Sequence, residues 1–449
     1  MRVLVLGQDG RTHAFIAKLL NSPRVPEVVC AIGNGGTAPL VATADLDETN
    51  TAGISQWAFE EQFDLIIPTS SRPLQHGLVE EALSLQVGVC GASQRAVQLE
   101  LSRCAAKEFM LRHRLPTAGG RTFTNLDTAE KYLAARALPV MIKADHSEIG
   151  EEIFSDRYLA LDGLRRLFGS KPVKGVSNGV VIEDLLSGPR VVLSAFTDGS
   201  NAVPLLATRL YDRVDDGDGG MQAAGVGAHT GTSQYAQQLT RYLDEKFIQP
   251  LVAGLAADSI PCWGIISIDC IITEAGPRLT AIRCAMHPGE AEAVLPRFED
   301  DLLPWIEAMI TRRLFEMPAP AWAATPSVAI GLMARGYPSF FPYGGTINGL
   351  TEIDEGVLVF HNTTANPAAI LPYTPRYHRG GALGSMLGGI LGIGSGSGAI
   401  LHTTGGQPLT VVTQAATLTS ARGRALINAE RIQFDGRTFR SDIGTREFN

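Results

Sequence analysis

Short runs of aliphatic and β-branched residues alternate with helix-period stretches over the first hundred positions. Val3-Leu-Val-Leu6 gives way to a glycine turn and a helix near residues 12–20, and Leu65-Ile-Ile67 to a helix near 74–85 and then Val87-Gly-Val-Cys90. Strand-helix alternation of this kind predicts a parallel sheet with ligand groups gathered at the carboxyl ends of its strands. Downstream, Pro139-Val-Met-Ile-Lys143-Ala-Asp145 and Val180-Val-Ile182 are apolar strands, and residues 232–255 carry the period of one long amphipathic helix. Residues 263–272 and 278–284, on either side of Glu274-Ala-Gly-Pro277, predict a β-hairpin. The expected fold class is α/β, with domains over 1–101, 102–325 (a smaller lobe at about 117–193) and 326–449.

Composition narrows the function classes. A chain of 449 residues with 45% hydrophobic and 19% charged residues is ordinary for a soluble globular protein, and a net charge of -8 argues against nucleic-acid binding. The first apolar run turns into Gln-Asp-Gly, so it predicts a first strand and not a signal segment. Six cysteines lie in apolar segments without the short paired spacing of a zinc site, which fits a reducing, cytoplasmic setting. Residues 379–398 repeat a Gly-x-x-x-Gly spacing, but so much glycine predicts a flexible insertion and no membrane span.

Three places could carry chemistry. The stretch from Arg213 to Ala228 crowds Asp215, Asp216 and Asp218 among Gly217, Gly220, Gly225 and Gly227, which predicts an open loop whose amides and carboxylates meet a ligand or plain solvent. Gly7-Gln-Asp-Gly10-Arg11 sits where a helix N-terminus would favour an anion, although such a turn is more often only a connection. Lys143 ends an apolar strand, where a lysine either snorkels or binds an anion, while Arg103 and Lys107, four apart, read as a solvated helix face.

Those same residues resemble the phosphoribosylamine–glycine ligase family of ATP-grasp enzymes. The match runs through Arg213, Val214, Asp216, Gly217, Asp218, Gly220, Gly225, Gly227 and Ala228, and through Gly7, Gly10, Arg11, His13 and Ala14. It extends over nearly the whole chain, including Ser327-Val-Ala-Ile-Gly331 and Ser441-Asp-Ile-Gly444. The resemblance implies an ATP-grasp fold with an N-terminal parallel-sheet domain and a C-terminal mixed domain. It implies ATP and magnesium as cofactors, with Lys143, Arg103 and Glu183 on the nucleotide and Asp269 on the metal. It places Arg213, Asp216 and Asp218 in catalysis, and Gly10, Arg11, Gly217, Gly220, Gly225, Gly227 and Glu290 on substrate. The expected partners are small molecules, an amine and an amino-acid carboxylate, with a homodimer or a partner enzyme left open.

The resemblance is that of a divergent member. Where the family has a glycine loop over the triphosphate, this chain has Glu148, Glu151 and Glu152; Arg190 replaces the carboxylate expected at the ribose; Ala281 and Arg283 replace a metal glutamate and an asparagine; Ala285 and Pro288 replace an arginine and an aspartate. Two function classes follow. One is an ATP-dependent carboxylate–amine ligase working through an acyl phosphate, on the purine-biosynthesis substrates or on altered ones. The other is a catalytically inactive ATP-grasp paralogue that binds a ligand or a partner.

Overall fold

The computed structural model describes residues 1–24, 26–146, 150–169, 178–366 and 400–448; the glycine-rich stretch 379–398 and Glu148 lie outside them. The strand Arg2–Gly7 is buried along its whole length, as expected for a parallel strand covered on both faces. It pairs in parallel with Glu27–Ile32 and Leu65–Pro68, and Ala42–Ala44 and Gly88–Val89 complete a five-stranded parallel sheet. The helix Gly10–Leu20 leaves the carboxyl end of the first strand, and the Asp9 side chain accepts from Thr12 N to cap it. The single helix expected near 74–85 is instead two, Arg72–Gln75 and Leu78–Ser84, because Gly77 between them sits at φ +86°, a left-handed conformation that stops one helix and starts the next.

A small lobe follows. Gly120–Phe123, Val180–Asp184, Val140–Ala144 and Glu151–Phe154 form an antiparallel sheet in that order. The helices Leu126–Ala134 and Arg157–Phe168 cover it through a core of its own that includes Leu133, Ile142, Leu164 and Ile182.

The remaining strands build one large sheet. Gly276–Arg283, Cys262–Thr273, Arg190–Thr197, Thr208–Asp215 and Gly219–Thr230 run antiparallel, neighbour to neighbour, with the expected hairpin at one end. Ser327–Ala334 then pairs with Gly219–Thr230, Gly227 opposite Ile330, so the sheet continues past residue 326 into Leu409–Gln414 and Leu358–His361. The loop expected from Arg213 onward is thus mostly β-hairpin, closed by a turn at Asp216–Asp218 in which Gly217 and Asp218 take positive φ. Its strands escape a period-two reading because two register shifts interrupt the pairing near Arg213 and glycine fills so many positions.

The long helix expected over 232–255 is two helices, Gln234–Leu243 and Gln249–Ala257, joined by a π-helical turn at Asp244–Ile248. Pro250 supplies the reason: it has no N–H for the regular ladder, and a widened turn absorbs the gap. Among the described residues no helix is long and apolar enough to cross a membrane. All six cysteines are buried and free.

Candidate active site

A cleft of about 370 Å³ opens between the small lobe and the end of the large sheet. On the small-lobe wall, Glu183 lies between two lysines: its Oε1 is 2.8 Å from Lys143 Nζ and its Oε2 2.8 Å from Lys107 Nζ. Lys107, from the helix Arg103–Arg112, also donates to Thr117 Oγ1 and the Ala118 carbonyl. Burial works against the Glu183 charge, yet Lys143 and Lys107 outweigh it and hold the carboxyl below its ordinary value. Arg103 donates to the Gly150 carbonyl at 2.5 Å and stands 3.5 Å from Glu151, fastening the start of the strand Glu151–Phe154 to the helix Arg103–Arg112. Glu151 faces the cleft, where Lys143 is 3.7 Å away, whereas Glu152 turns out to a bidentate pair with Arg166.

The opposite wall centres on Asp269. His287 Nε2 is 2.5 Å from its Oδ1, Arg190 Nη2 is 2.5 Å from its Oδ2, and Arg283 Nε is 3.6 Å from that same oxygen. Burial pushes the His287 imidazole down to about 4, so near neutrality the ring is uncharged and donates Nε2–H, and the arginines match the carboxylate charge. Burial opposes ionisation of Asp269 as well, but its three partners hold the carboxyl well below its usual value. Arg190 also donates to Asp212 at 2.9 Å, and Gln222 reaches the same carboxylate at 3.3 Å.

Behind this wall, Glu290 accepts from Ser194 Oγ at 2.6 Å and from His287 N at 2.8 Å, and burial pushes it up to about 7. Gly225 and Gly227 lie against the turn at Gly289 that precedes it. Beyond it, Gly10 N donates to Asn362 Oδ1 at 2.7 Å, and Arg11 pairs with Asp9 at 2.6 Å and donates to the Met286 carbonyl. A Cβ at Gly10 would fall 2.3 Å from Glu292 Oε1, so only glycine fits that approach.

The tip of the Asp-Gly hairpin lies elsewhere. Asp216 accepts from Ser441 N and Oγ, Asp218 pairs with the buried Arg440 at 2.9 Å, and Gly217 N donates to Asp442. Arg213 donates to the Gly220 carbonyl within the hairpin. The hairpin residues that line the cleft are Asp212 and Gln222.

With this geometry in place, the likeness to known proteins is specific. Three domain models of phosphoribosylglycinamide synthetase match in series: its N domain over residues 1–100, its ATP-grasp (A) domain over 101–291 and its C domain over 327–446. The chain belongs to the phosphoribosylglycinamide synthetase family. A phosphoribosylamine–glycine ligase of Allochromatium vinosum is 30% identical over 99% of this chain and 98% of its own length. A crystal structure of phosphoribosylamine–glycine ligase from Thermotoga maritima shares the fold, with a TM-score of 0.77 at 22% identity, covering 98% of this chain and all of that one. The biotin carboxylase domain of a Hydrogenobacter thermophilus 2-oxoglutarate carboxylase, in complex with magnesium ADP and bicarbonate, has a TM-score of 0.67 at 14% identity over 97% of this chain and 91% of its own.

ATP-grasp proteins bind ATP and magnesium, and in this member of the synthetase family the residues do not fit the metal. A hard divalent ion needs several carboxylate oxygens. Both oxygens of Asp269 are already taken, Ala281 stands opposite Asp269 in the hairpin register, and no cluster of three or more His, Cys, Asp or Glu side chains is placed to hold an ion among the described residues. Two unit charges about 4 Å apart interact by roughly 4 kcal/mol at an effective dielectric of about 20, so a divalent ion would be repelled about twice as strongly by each guanidinium.

The cleft brings together Arg103, Lys143, Glu183 and Asp269. Gly10, Arg11, Gly225, Gly227 and Glu290 gather behind it, while Arg213, Asp216, Gly217, Asp218 and Gly220 belong to the hairpin tip and its contacts. Sequence reasoning missed Asp212, Gln222, Glu292 and Asn362. The signal for Glu292 was an acidic pair two residues apart inside an apolar run; Asn362 carried none.

Proposed function

We propose that this chain is an ATP-dependent carboxylate–amine ligase of the phosphoribosylamine–glycine ligase type. The observation that carries the reading is the series of contacts from the nucleotide-sized cleft to the N-terminal helix Gly10–Leu20: Asp269 to His287, His287 to Glu290, and the neighbouring Met286 carbonyl to Arg11. In the reaction, a carboxylate oxygen attacks the terminal phosphorus of ATP, the bond to the bridging oxygen breaks and ADP leaves. The amine then adds to the acyl phosphate carbonyl, inorganic phosphate departs and the nitrogen loses a proton, leaving an amide. The chain's share is charge compensation at the phosphates by Lys143 and its cationic neighbours, and alignment of the reacting atoms. Its buried free cysteines fit a reducing, cytoplasmic setting.

Incubated with ATP, glycine and phosphoribosylamine, the protein is expected to release ADP in proportion to amide formed, and to release none when either co-substrate is omitted. ATP bound but never turned over would support the second reading, a non-catalytic paralogue, which is favoured by one observation: Asp269 is surrounded by three nitrogen donors instead of a metal.

A further inference from the structure

The two walls of the cleft differ in how firmly their cations are held. Lys143 and Lys107 each contact Glu183 at 2.8 Å. Arg190 is bonded at both ends, to Asp212 and to Asp269. Arg283 differs. Its carboxylate neighbours, Glu100 and Asp269, both stand at 3.6 Å, too far for a good hydrogen bond, and its Nε is buried with no hydrogen-bond partner. Its side chain is still 38% exposed towards the cleft it lines. A guanidinium in that state keeps a planar set of donors available for a phosphate, which it can meet bidentately.

Charge balance leads the same way. The cleft lining carries Arg103, Lys107, Lys143, Arg190 and Arg283 against Glu100, Glu151, Glu183, Asp184, Asp212 and Asp269. An incoming polyanion must therefore draw a cation away from a carboxylate. The pair most easily opened is the loosest, which is that of Arg283. A divalent ion at Asp269 would instead have to displace Arg190 from its 2.5 Å hydrogen bond there and His287 from the other oxygen, leaving both donors without that acceptor.

We infer that the cleft takes its nucleotide without a divalent cation, Arg283 meeting the phosphates where a metal would otherwise bridge them while Arg190 keeps Asp269 occupied. This rests on the reading of the cleft as a nucleotide site, and the test separates the two. ADP is titrated calorimetrically into the full-length protein, once in EDTA and once in excess magnesium, with manganese electron paramagnetic resonance as a second readout of metal uptake. The inference predicts affinity in excess magnesium no higher than in EDTA, and lower by the fraction of ADP that magnesium sequesters, with a free-manganese signal unchanged on adding protein and ADP beyond the loss due to ADP alone.

Arg283→Gln should weaken ADP binding about tenfold or more in EDTA, with Arg283→Lys falling between because it keeps the charge but loses the fork. The exposure of this side chain lets both variants fold, which their melting curves check. Binding that appears only with magnesium, or an Arg283→Gln affinity equal to the native one, overturns the inference and leaves the nucleotide reading standing. No heat in either buffer overturns the nucleotide reading itself and this inference with it.

Discussion

Glu183→Gln is expected to destabilise the protein by about 3–5 kcal/mol, because it removes one partner of a buried ion cluster. The side chains of Lys107, Lys143 and Glu183 are only 3%, 11% and 7% exposed, and both ammonium groups rely on this carboxylate. A neutral amide of the same shape keeps the packing and removes the charge, so two ammonium groups face each other across it. For a lobe of this size, at about 4–8 °C per kcal/mol, the loss corresponds to a fall in melting midpoint of roughly 12–40 °C. Replacing all three residues with Met and Leu of matching volume should recover much of the stability, while nucleotide affinity stays lost. The folded-state carboxyl lies below its ordinary value, so the cluster's contribution is present above about pH 4.5 and disappears as acid titrates Glu183. A Glu183→Gln midpoint within a degree or two of the native one would show that water already screens the cluster.

The second large effect has the opposite sign. Glu292→Gln is expected to stabilise the protein in alkaline solution. Burial pushes the Glu292 carboxyl from 4.5 to about 8, with Asp9 raising it further and Arg11 only partly opposing. Its Oε2 accepts from Gly289 N at 2.8 Å, but Oε1 is buried with no hydrogen-bond partner. The folded chain therefore holds a proton here that the unfolded chain has released, and native stability falls as pH rises from about 4.5 to 8. Raising the carboxyl from 4.5 to about 8 corresponds to roughly 5 kcal/mol as an upper figure. Glutamine keeps the acceptor for Gly289 and cannot ionise, so its advantage should be absent near pH 4.5, grow with pH and level off above 8. Glu290, raised to about 7 by burial, leaves a smaller slope in the variant. Thermal midpoints of both proteins across that range check the prediction, and a variant less stable than the native chain at pH 8 would contradict it.

The parts of the fold that could be read in the sequence are those where neighbours in the chain are neighbours in space. The parallel sheet showed in the buried run Val3 to Leu6, and the terminal hairpin in its turn residues and apolar strands. Lys143 was legible as a lone cation closing an apolar strand. The Asp-Gly stretch was not legible as a hairpin, since glycine carries no alternation and the residues that hold its tip lie 222 and 225 positions away, at Arg440 and Ser441.

Arg103, Lys143, Glu183 and Asp269 of the cleft were named from the sequence, but their partners were not, for the same reason. Arg190 stands out in sequence only as the wrong residue for a ribose contact. Its role follows from sheet register, because it lies opposite Ile271 and so shares a face with Asp269, two positions along. Likewise Lys107 reads as a helix-surface lysine until the strand Val180–Asp184 brings Glu183 to it across 76 positions.

The central claim is that the space between Glu183 and Asp269 is where a nucleotide sits. Titration of ADP into the native chain and into Lys143→Ala, followed by calorimetry, addresses it most directly. The account predicts saturable binding at one site per chain, weakened about tenfold or more by the substitution. Equal affinity in the two proteins would place the nucleotide elsewhere and contradict the account.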